Sequence, residues 1–291
     1  MLARLRAPAT TAARRLFSSK AALPIYQLDS FSSKVFGGNP AAVMPLEQWL
    51  PDETLLDLAA ENNLAETAFT VPLPDGGFHL RWFTPTLEVD MCGHATLAAA
   101  ALILDRITPE ANELSFQTKS GELVVRRHSD PGRLTLDFPV NPIGEKLDAP
   151  EDLVAALGAR PTECFSLPPL HCAPWYLFVY EDEATVRDLA PSFSAMLSGN
   201  VSATALSSAE GVDFVSRFFG PLCGIDEDPV TGSAHTSLAP YWAARTGKSA
   251  MEARQLSKRG GELHVAVEGE RVLISGNTSF YMEGQVFLPS S

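Results

Sequence analysis

The sequence predicts an α+β protein of two related lobes, each a sheet wrapped around one central helix. Two similar segments, Gly-His-Ala at 93–95 and Gly-Ser-Ala at 232–234, each follow an acidic residue and open an Ala/Leu-rich helical pattern. Their glycines lie 232 − 93 = 139 residues apart, about the size of one small domain. The rest of the chain is mostly short β-rich segments. With 291 residues, 45% of them hydrophobic, the chain is large and apolar enough for about two domains.

The first lobe is predicted to be mostly sheet. Alternating polarity predicts a strand at 25–31, and a second strand at 41–44 follows the turn Gly37-Gly38-Asn39-Pro40. A helix opens at Pro51 with an acidic first turn and stops at 62–63. The remaining elements of this lobe are strands at 66–71, 78–83, 113–118, 122–128 and 133–138, and the central helix that starts at Gly93.

The second lobe repeats this pattern after a connection at 139–150, which is rich in Pro and Gly. Helices are predicted at 151–157, 183–189 and 233–246, and strands at 175–180, 213–219, 262–267, 271–275 and 284–288. We therefore expect an N-terminal lobe at 25–141 and a C-terminal lobe at 150–279. The last strand, about 280–289, is expected to rejoin the N-terminal lobe.

The N-terminal segment differs in charge from the rest of the chain. It holds four Arg and one Lys and no acid before Asp29, with Ala, Ser, Thr and scattered Leu. This composition is typical of an organellar transit peptide, which we place at 1–24. We expect a mitochondrial location. The alternatives are a plastid location, or a cytoplasmic location if the segment is a basic tail that targets nothing.

Charge and cysteine content exclude several classes of function. The net charge of −13 argues against a general nucleic-acid binder, because Lys and Arg carry most phosphate affinity. No apolar run is long enough to span a membrane. The four cysteines form no C-x-x-C pair; Cys164, His171 and Cys172 make one loose cluster without a fourth ligand. We therefore expect no metal site and no disulfide framework, and we expect the cysteines to be buried free thiols.

Several polar residues are candidates for chemistry between the lobes. The helix starts at Gly93 and Gly232 present backbone N–H groups and a positive dipole end, which suit a carboxylate or another anion. Glu66 is the one acid in a neutral run, and burial would tune its pKa for proton transfer. His94 can donate a hydrogen bond, and Asp228 can bind an amine or hydroxyl.

Each candidate also has a plain structural interpretation, which the sequence leaves open. Glu66 could face solvent at a strand start, and His94 could be a satisfied histidine at a helix start. Asp228 could serve as an N-cap near the second helix. His235, one helical step further along, is expected to pack or to line the wall.

Several ordered motifs resemble the phenazine-biosynthesis isomerase (PhzF-like) family over about 25–289. The motifs are Phe36-Gly37-Gly38-Asn39-Pro40-Ala41-Ala42-Val43, Ala60 to Phe69, Arg81-Trp82-Phe83-Thr84-Pro85 with Glu88 to Thr96, and Gly224 to His235. The resemblance implies a diaminopimelate-epimerase-like fold of two pseudo-symmetric lobes. Each lobe is then a curved, mostly antiparallel sheet around a central helix, with the active site between the lobes.

The resemblance also implies roles and partners. The family's catalytic glutamate falls on Glu66, and its active-site histidine, aspartate and serine fall on His94, Asp228 and Ser233. Phenazine-pathway members move a proton between ring carbons of trans-2,3-dihydro-3-hydroxyanthranilate without a cofactor. We accordingly expect a homodimeric, cofactor-independent isomerase acting on a small carboxylate-bearing molecule.

Two alternatives come from the same fold. Related racemases use two opposed thiols; Cys92 lies near the place of the first thiol, whereas Cys223 lies well upstream of the second helix, so a partner is missing. A second alternative is a non-catalytic small-molecule or protein-binding member of the fold, because fold does not determine function.

Overall fold

The computed structural model describes residues 22–170 and 173–288. Residues 1–21 of the predicted transit segment, together with His171 and Cys172 of the loose cysteine cluster, lie outside the described residues. Residues 22–24 belong to the first strand. Within the described part of the chain, no helix has the length and apolar character needed to cross a membrane.

The first half of the chain forms a ring of strands around one helix. Its elements are β1 (Ala22–Ser30), β2 (Asn39–Pro45), α1 (Asp52–Asn62), β3 (Glu66–Pro72), β4 (Phe78–Phe83), β5 (Glu88–Val89), α2 (Gly93–Arg106), β6 (Glu113–Thr118), β7 (Gly121–Arg127) and β8 (Arg133–Pro139). The strands run in the order β1-β2-β3-β4-β6-β7-β8. Every residue of α2 from Gly93 to Leu104 is buried, because the apolar faces of these strands surround it.

The second half repeats this arrangement around a second helix. Its elements are α3 (Glu151–Leu157), β9 (Glu163–Leu170), β10 (Ala173–Val179), α4 (Glu183–Asp188), β11 (Asn200–Leu206), β12 (Phe214–Gly220), β13 (Ile225–Asp228), α5 (Gly232–Thr246), β14 (Ala250–Gln255), β15 (Gly261–Glu268) and β16 (Arg271–Phe287), with 3₁₀ turns at Phe193–Ala195 and Pro221–Cys223. The strand order is β16-β15-β14-β12-β11-β10-β9.

The two halves match in their strand directions. In the first half, β2 and β3 are parallel across α1, and β4 and β6 are parallel across α2. In the second half, β10 and β11 are parallel across α4, and β12 and β14 are parallel across α5. The other paired strands are antiparallel. The predicted fold class, two pseudo-symmetric and mostly antiparallel α+β halves, is confirmed.

One long strand connects the two halves. Residues 271–277 of β16 pair with β8, and residues 271–275 also pair with β15 on the other side. Residues 278–287 of the same strand pair with β1, which closes the first ring. The prediction of two separate strands at 271–275 and 284–288 is wrong, because the chain continues as one strand through both halves. The proposed lobe limits, 25–141 and 150–279, remain a prediction.

Strands β5, β9, β11, β13 and β14 were absent from the sequence-based prediction. In β11 the burial is nearly continuous rather than alternating, and its residues are mostly small or hydroxylated. The hydroxyls of Ser202 and Thr204 accept hydrogen bonds from the indole N–H groups of Trp175 (3.0 Å) and Trp242 (2.9 Å). Strand β11 is buried on both faces, and its hydroxyls bond to tryptophans that are distant in the chain. Its sequence therefore shows no alternation of polar and apolar residues.

A contact between the halves holds the loop before β2. Arg259, between β14 and β15, donates to buried Asp29 (2.7 Å) and to the carbonyls of Gly37 and Gly38. The Gly38 N–H donates to the Gly260 carbonyl at 2.8 Å. These bonds join the 31–38 loop to the second half.

Candidate active site

The starts of the two central helices meet in the interior. A Cβ built on Gly93 would lie 3.6 Å from the Cα of Gly232, so the two backbones almost touch. A cavity of about 550 Å³ opens at this point. All six residues that the sequence selected line it: Glu66, Gly93, His94, Asp228, Gly232 and Ser233. Residues up to 167 positions apart in the chain therefore share one cavity (233 − 66).

Glu66 begins β3, three residues after the left-handed Asn63 ends α1. Its side chain is buried rather than facing solvent. Burial raises the pKa of Glu66 to about 8, and the charge of Asp228 contributes in the same direction. A hydrogen bond with Cys92 acts in the opposite direction and lowers this pKa. A carboxyl group with this pKa exchanges protons readily near neutral pH.

His94 is the second residue of α2 and is also buried. Burial lowers the pKa of His94 to about 3, so the ring is neutral at physiological pH. Its Nε2 lies 3.2 Å from Oε2 of Glu66 without hydrogen-bond geometry, and neither atom has another partner among the described residues. Two buried polar atoms thus lie side by side at the cavity wall, where a substrate group that approaches from the cavity would satisfy them.

Asp228 ends β13 and also lines the cavity. Its Oδ1 accepts a hydrogen bond from Asn39 (2.7 Å), and its Oδ2 accepts one from Thr231 (2.5 Å). Burial raises the pKa of Asp228 to about 6, although both hydrogen bonds lower it. The N-cap interpretation of Asp228 is wrong, because α5 has Thr231 at its N-cap position and shows no side-chain cap bond.

The anion-binding capacity of the cavity comes from backbone rather than from basic side chains. Neither α2 nor α5 has a side-chain hydrogen bond at its N-cap, and Ser233 adds a hydroxyl in the first turn of α5. No Lys or Arg is found among the described residues that line the cavity. The two dipole ends therefore supply the positive potential that would attract a carboxylate.

Two cysteines line the cavity, whereas the sequence had indicated only Cys92 there. Cys92 is buried beside Glu66 and His94, and Cys223, far upstream of α5 in the chain, also lies in the wall. Cys223 was not expected to accompany Cys92 because it lies upstream of the second helix in the chain, yet both thiols line the same cavity. Burial raises the pKa of both thiols, that of Cys92 well above its usual value.

Ligand atoms of Glu66, Cys92 and His94 all lie within 4.8 Å of one another, a set that could hold a metal ion. Zinc and similar ions bind the thiolate rather than the thiol. The carboxylate of Glu66 and burial both oppose thiolate formation at Cys92. This set therefore suits proton transfer better than metal binding.

His235 and Asn39 are two further buried residues near the site. His235 packs in the core: its Nδ1 lies 2.8 Å from the Thr231 carbonyl, and burial lowers its pKa to about 4. Asn39 is fully buried and contacts both His94 and Asp228. The sequence placed it in the turn Gly37-Gly38-Asn39-Pro40 and in a motif of the family resemblance, but gave it no role at the site.

Comparisons with known proteins agree with the geometry. Residues 28–284 match the family model described as "Phenazine biosynthesis-like protein". The chain is 49% identical over 270 residues to an uncharacterized isomerase of Pseudomonas aeruginosa, covering 91% of this chain and 99% of that protein.

Solved structures show the same fold. The crystal structure of a PhzF-family protein from Enterococcus faecalis is 40% identical, with a TM-score of 0.85, and covers 92% of this chain and 100% of its own. A hydroxyproline epimerase from Agrobacterium vitis, with bound trans-4-hydroxy-L-proline, is 12% identical with a TM-score of 0.55 and covers 93% and 94%; it shares the fold alone. The family match over residues 28–284 and the relative that is 49% identical show that the chain belongs to the phenazine biosynthesis-like (PhzC/PhzF) family.

Proposed function

We propose that this protein is a cofactor-independent isomerase that moves a proton on a small carboxylate-bearing molecule, with Glu66 as acid and base. The observation that carries the proposal is a buried glutamate of pKa about 8, beside two uncapped helix starts. A relative that is 49% identical is named an isomerase, which supports the same reaction class.

The roles follow from charge and position. As a carboxylate, Glu66 takes a proton from a substrate carbon; as the acid so formed, it returns the proton to another carbon. The helix starts at Gly93 and Gly232 hold the substrate carboxylate and stabilise negative charge that develops near it. Neutral His94 donates a hydrogen bond, and Asp228 and Ser233 hold an amine or hydroxyl.

Acid–base catalysis by Glu66 accounts for only part of the expected rate enhancement. Proton transfer by one positioned group gives about 10²- to 10⁴-fold in rate. The remainder of the catalysis comes from orientation of the substrate and from stabilisation of the charge at the helix starts.

A second candidate is a thiol-based racemase, since Cys92 and Cys223 both line the cavity. The raised pKa values of both thiols disfavour it, because proton abstraction by a thiol requires the thiolate. A non-catalytic binding protein is the third candidate.

One experiment separates the three. Candidate cyclic amino and hydroxy acids are incubated with the protein in heavy water, and deuterium at carbon is measured by mass spectrometry. Glu66→Gln should abolish exchange and Cys92→Ala should leave most of it. The reverse result would favour the racemase, and binding without exchange across a broad panel would favour the binding protein.

We also propose a homodimer in a mitochondrion, supported by the family resemblance and by the basic segment 1–24. Sedimentation velocity should then give twice the mass of the chain, and a monomer at micromolar concentration would contradict the dimer.

A further inference from the structure

The motif Gly37-Gly38-Asn39-Pro40 places one amide between the main polar groups of the cavity. Gly38 has φ +63°, and a Cβ built there would lie 2.0 Å from the Ser30 carbonyl oxygen. Only glycine fits this position without moving backbone. The turn delivers Asn39 to the first position of β2, where the side chain is fully buried.

The orientation of the Asn39 amide is determined by its neighbours. Its Nδ2 lies 2.7 Å from Oδ1 of Asp228 and 2.9 Å from the carbonyl oxygen of Val230. Both neighbours are acceptors only, so the NH₂ group must face them. The reverse orientation would place the amide oxygen against a carboxylate and a carbonyl.

The same NH₂ group constrains the ring of His94. Nδ1 of His94 lies 3.2 Å from Nδ2 of Asn39 and 3.5 Å from the thiol sulfur of Cys92. The NH₂ group has two hydrogens for three acceptors, so Nδ1 of His94, the most distant of the three, shares a hydrogen with one of the shorter contacts. A proton on Nδ1 would point at these hydrogens, whereas a bare Nδ1 faces them without repulsion. The neutral ring therefore carries its proton on Nε2, the atom 3.2 Å from Oε2 of Glu66.

We propose that Asn39 is a positioning residue for the reaction: it holds His94 as an Nε2–H donor toward the cavity and fixes Asp228 beside it. Asn39 comes from β2, His94 from α2 and Asp228 from β13, so one amide aligns polar groups from both halves of the chain. This inference rests on the proposed function for its catalytic meaning, but the tautomer itself is a separate observable.

The test combines nitrogen-15 NMR of the histidine rings with the deuterium assay. The resonance of His94 is assigned by its loss in His94→Asn, and the chemical shifts of Nδ1 and Nε2 distinguish the neutral tautomers. The wild type should show the Nε2–H tautomer. Asn39→Asp replaces the NH₂ group with an acceptor, so the proton should move to Nδ1, and deuterium exchange should fall by tenfold or more.

Ser30→Ala is the matched control. Ser30 is buried, pairs directly with Asn39 between β1 and β2, and donates from its hydroxyl to the backbone carbonyl of His94 at 2.7 Å. The variant loses a buried hydrogen bond to the same residue without touching the ring. It should therefore keep the Nε2–H tautomer and the pH profile of exchange.

Two results would overturn the proposal: an Nδ1–H tautomer in the wild type, or Asn39→Asp with an unchanged tautomer and exchange within about twofold of wild type. An Nδ1–H tautomer in the wild type would overturn the proposal even when Asn39→Asp does not fold. Exchange that survives in Glu66→Gln would reject the proposed function instead, and would leave the tautomer result standing.

Discussion

Replacing Glu66 with Gln removes a buried titratable carboxyl, and the effect on stability has a definite sign. Burial raises the pKa of Glu66 from 4.5 to about 8, so between these pH values the folded protein binds a proton that the unfolded chain has released. The free energy of unfolding therefore falls as pH rises through this window. Gln carries no such proton and removes this dependence.

The size of the stability difference follows from the change in the pKa of Glu66. Each pKa unit corresponds to about 1.4 kcal/mol, and about 2.5 units separate pH 4.5 from pH 7. Glu66→Gln should thus be more stable than the wild type by up to about 3 kcal/mol at pH 7, and the difference should disappear near pH 4.5. The same variant loses proton exchange, so activity and stability change in opposite directions.

Urea denaturation at pH 5 and pH 7 measures the free energy of unfolding of Glu66→Gln and of the wild type. Glu262→Gln, at an exposed position, is the control and should stay within about 0.5 kcal/mol of wild type. A Glu66→Gln variant that is less stable than wild type by the same amount at both pH values would refute the reasoning. It would mean that Glu66 ionises normally in the folded protein.

The remaining predictions concern pH, the contact between the halves and location. Proton exchange should rise about tenfold per pH unit up to about pH 8 and level off above it, because Glu66 must be ionised to accept a proton; a flat profile from pH 6 to 9 would contradict this role. Arg259→Ala should lower the free energy of unfolding by about 3 kcal/mol, because it leaves buried Asp29 without its cation. Arg254→Ala, which breaks an exposed pair, should cost less than about 1 kcal/mol in the same urea assay. Residues 1–24 fused to a fluorescent protein should direct it to mitochondria, whereas a distribution like that of the unfused protein would argue against a transit peptide.

Local signals predicted much of the fold. The helix starts at Gly93 and Gly232, the strand at 66–71 and the helix near 151–157 depend on residues that are neighbours in the chain, and the structure has an element at each place. Strand β11 and the continuous β16 were not predicted, because their conformation depends on pairing with distant strands rather than on a local period.

The sequence by itself determined which residue types were available for proton chemistry and that two similar helix starts exist. Only the tertiary structure decided that Glu66, His94, Asp228 and Asn39 meet, since this requires β16 to join the two halves and the helix starts to abut. The tertiary structure also decided the pKa values of Glu66, His94 and Asp228, because desolvation and neighbouring charge depend on burial rather than on sequence position. Asn39 shows the difference most directly: within the motif it is a turn residue, and in the folded chain it contacts both His94 and Asp228.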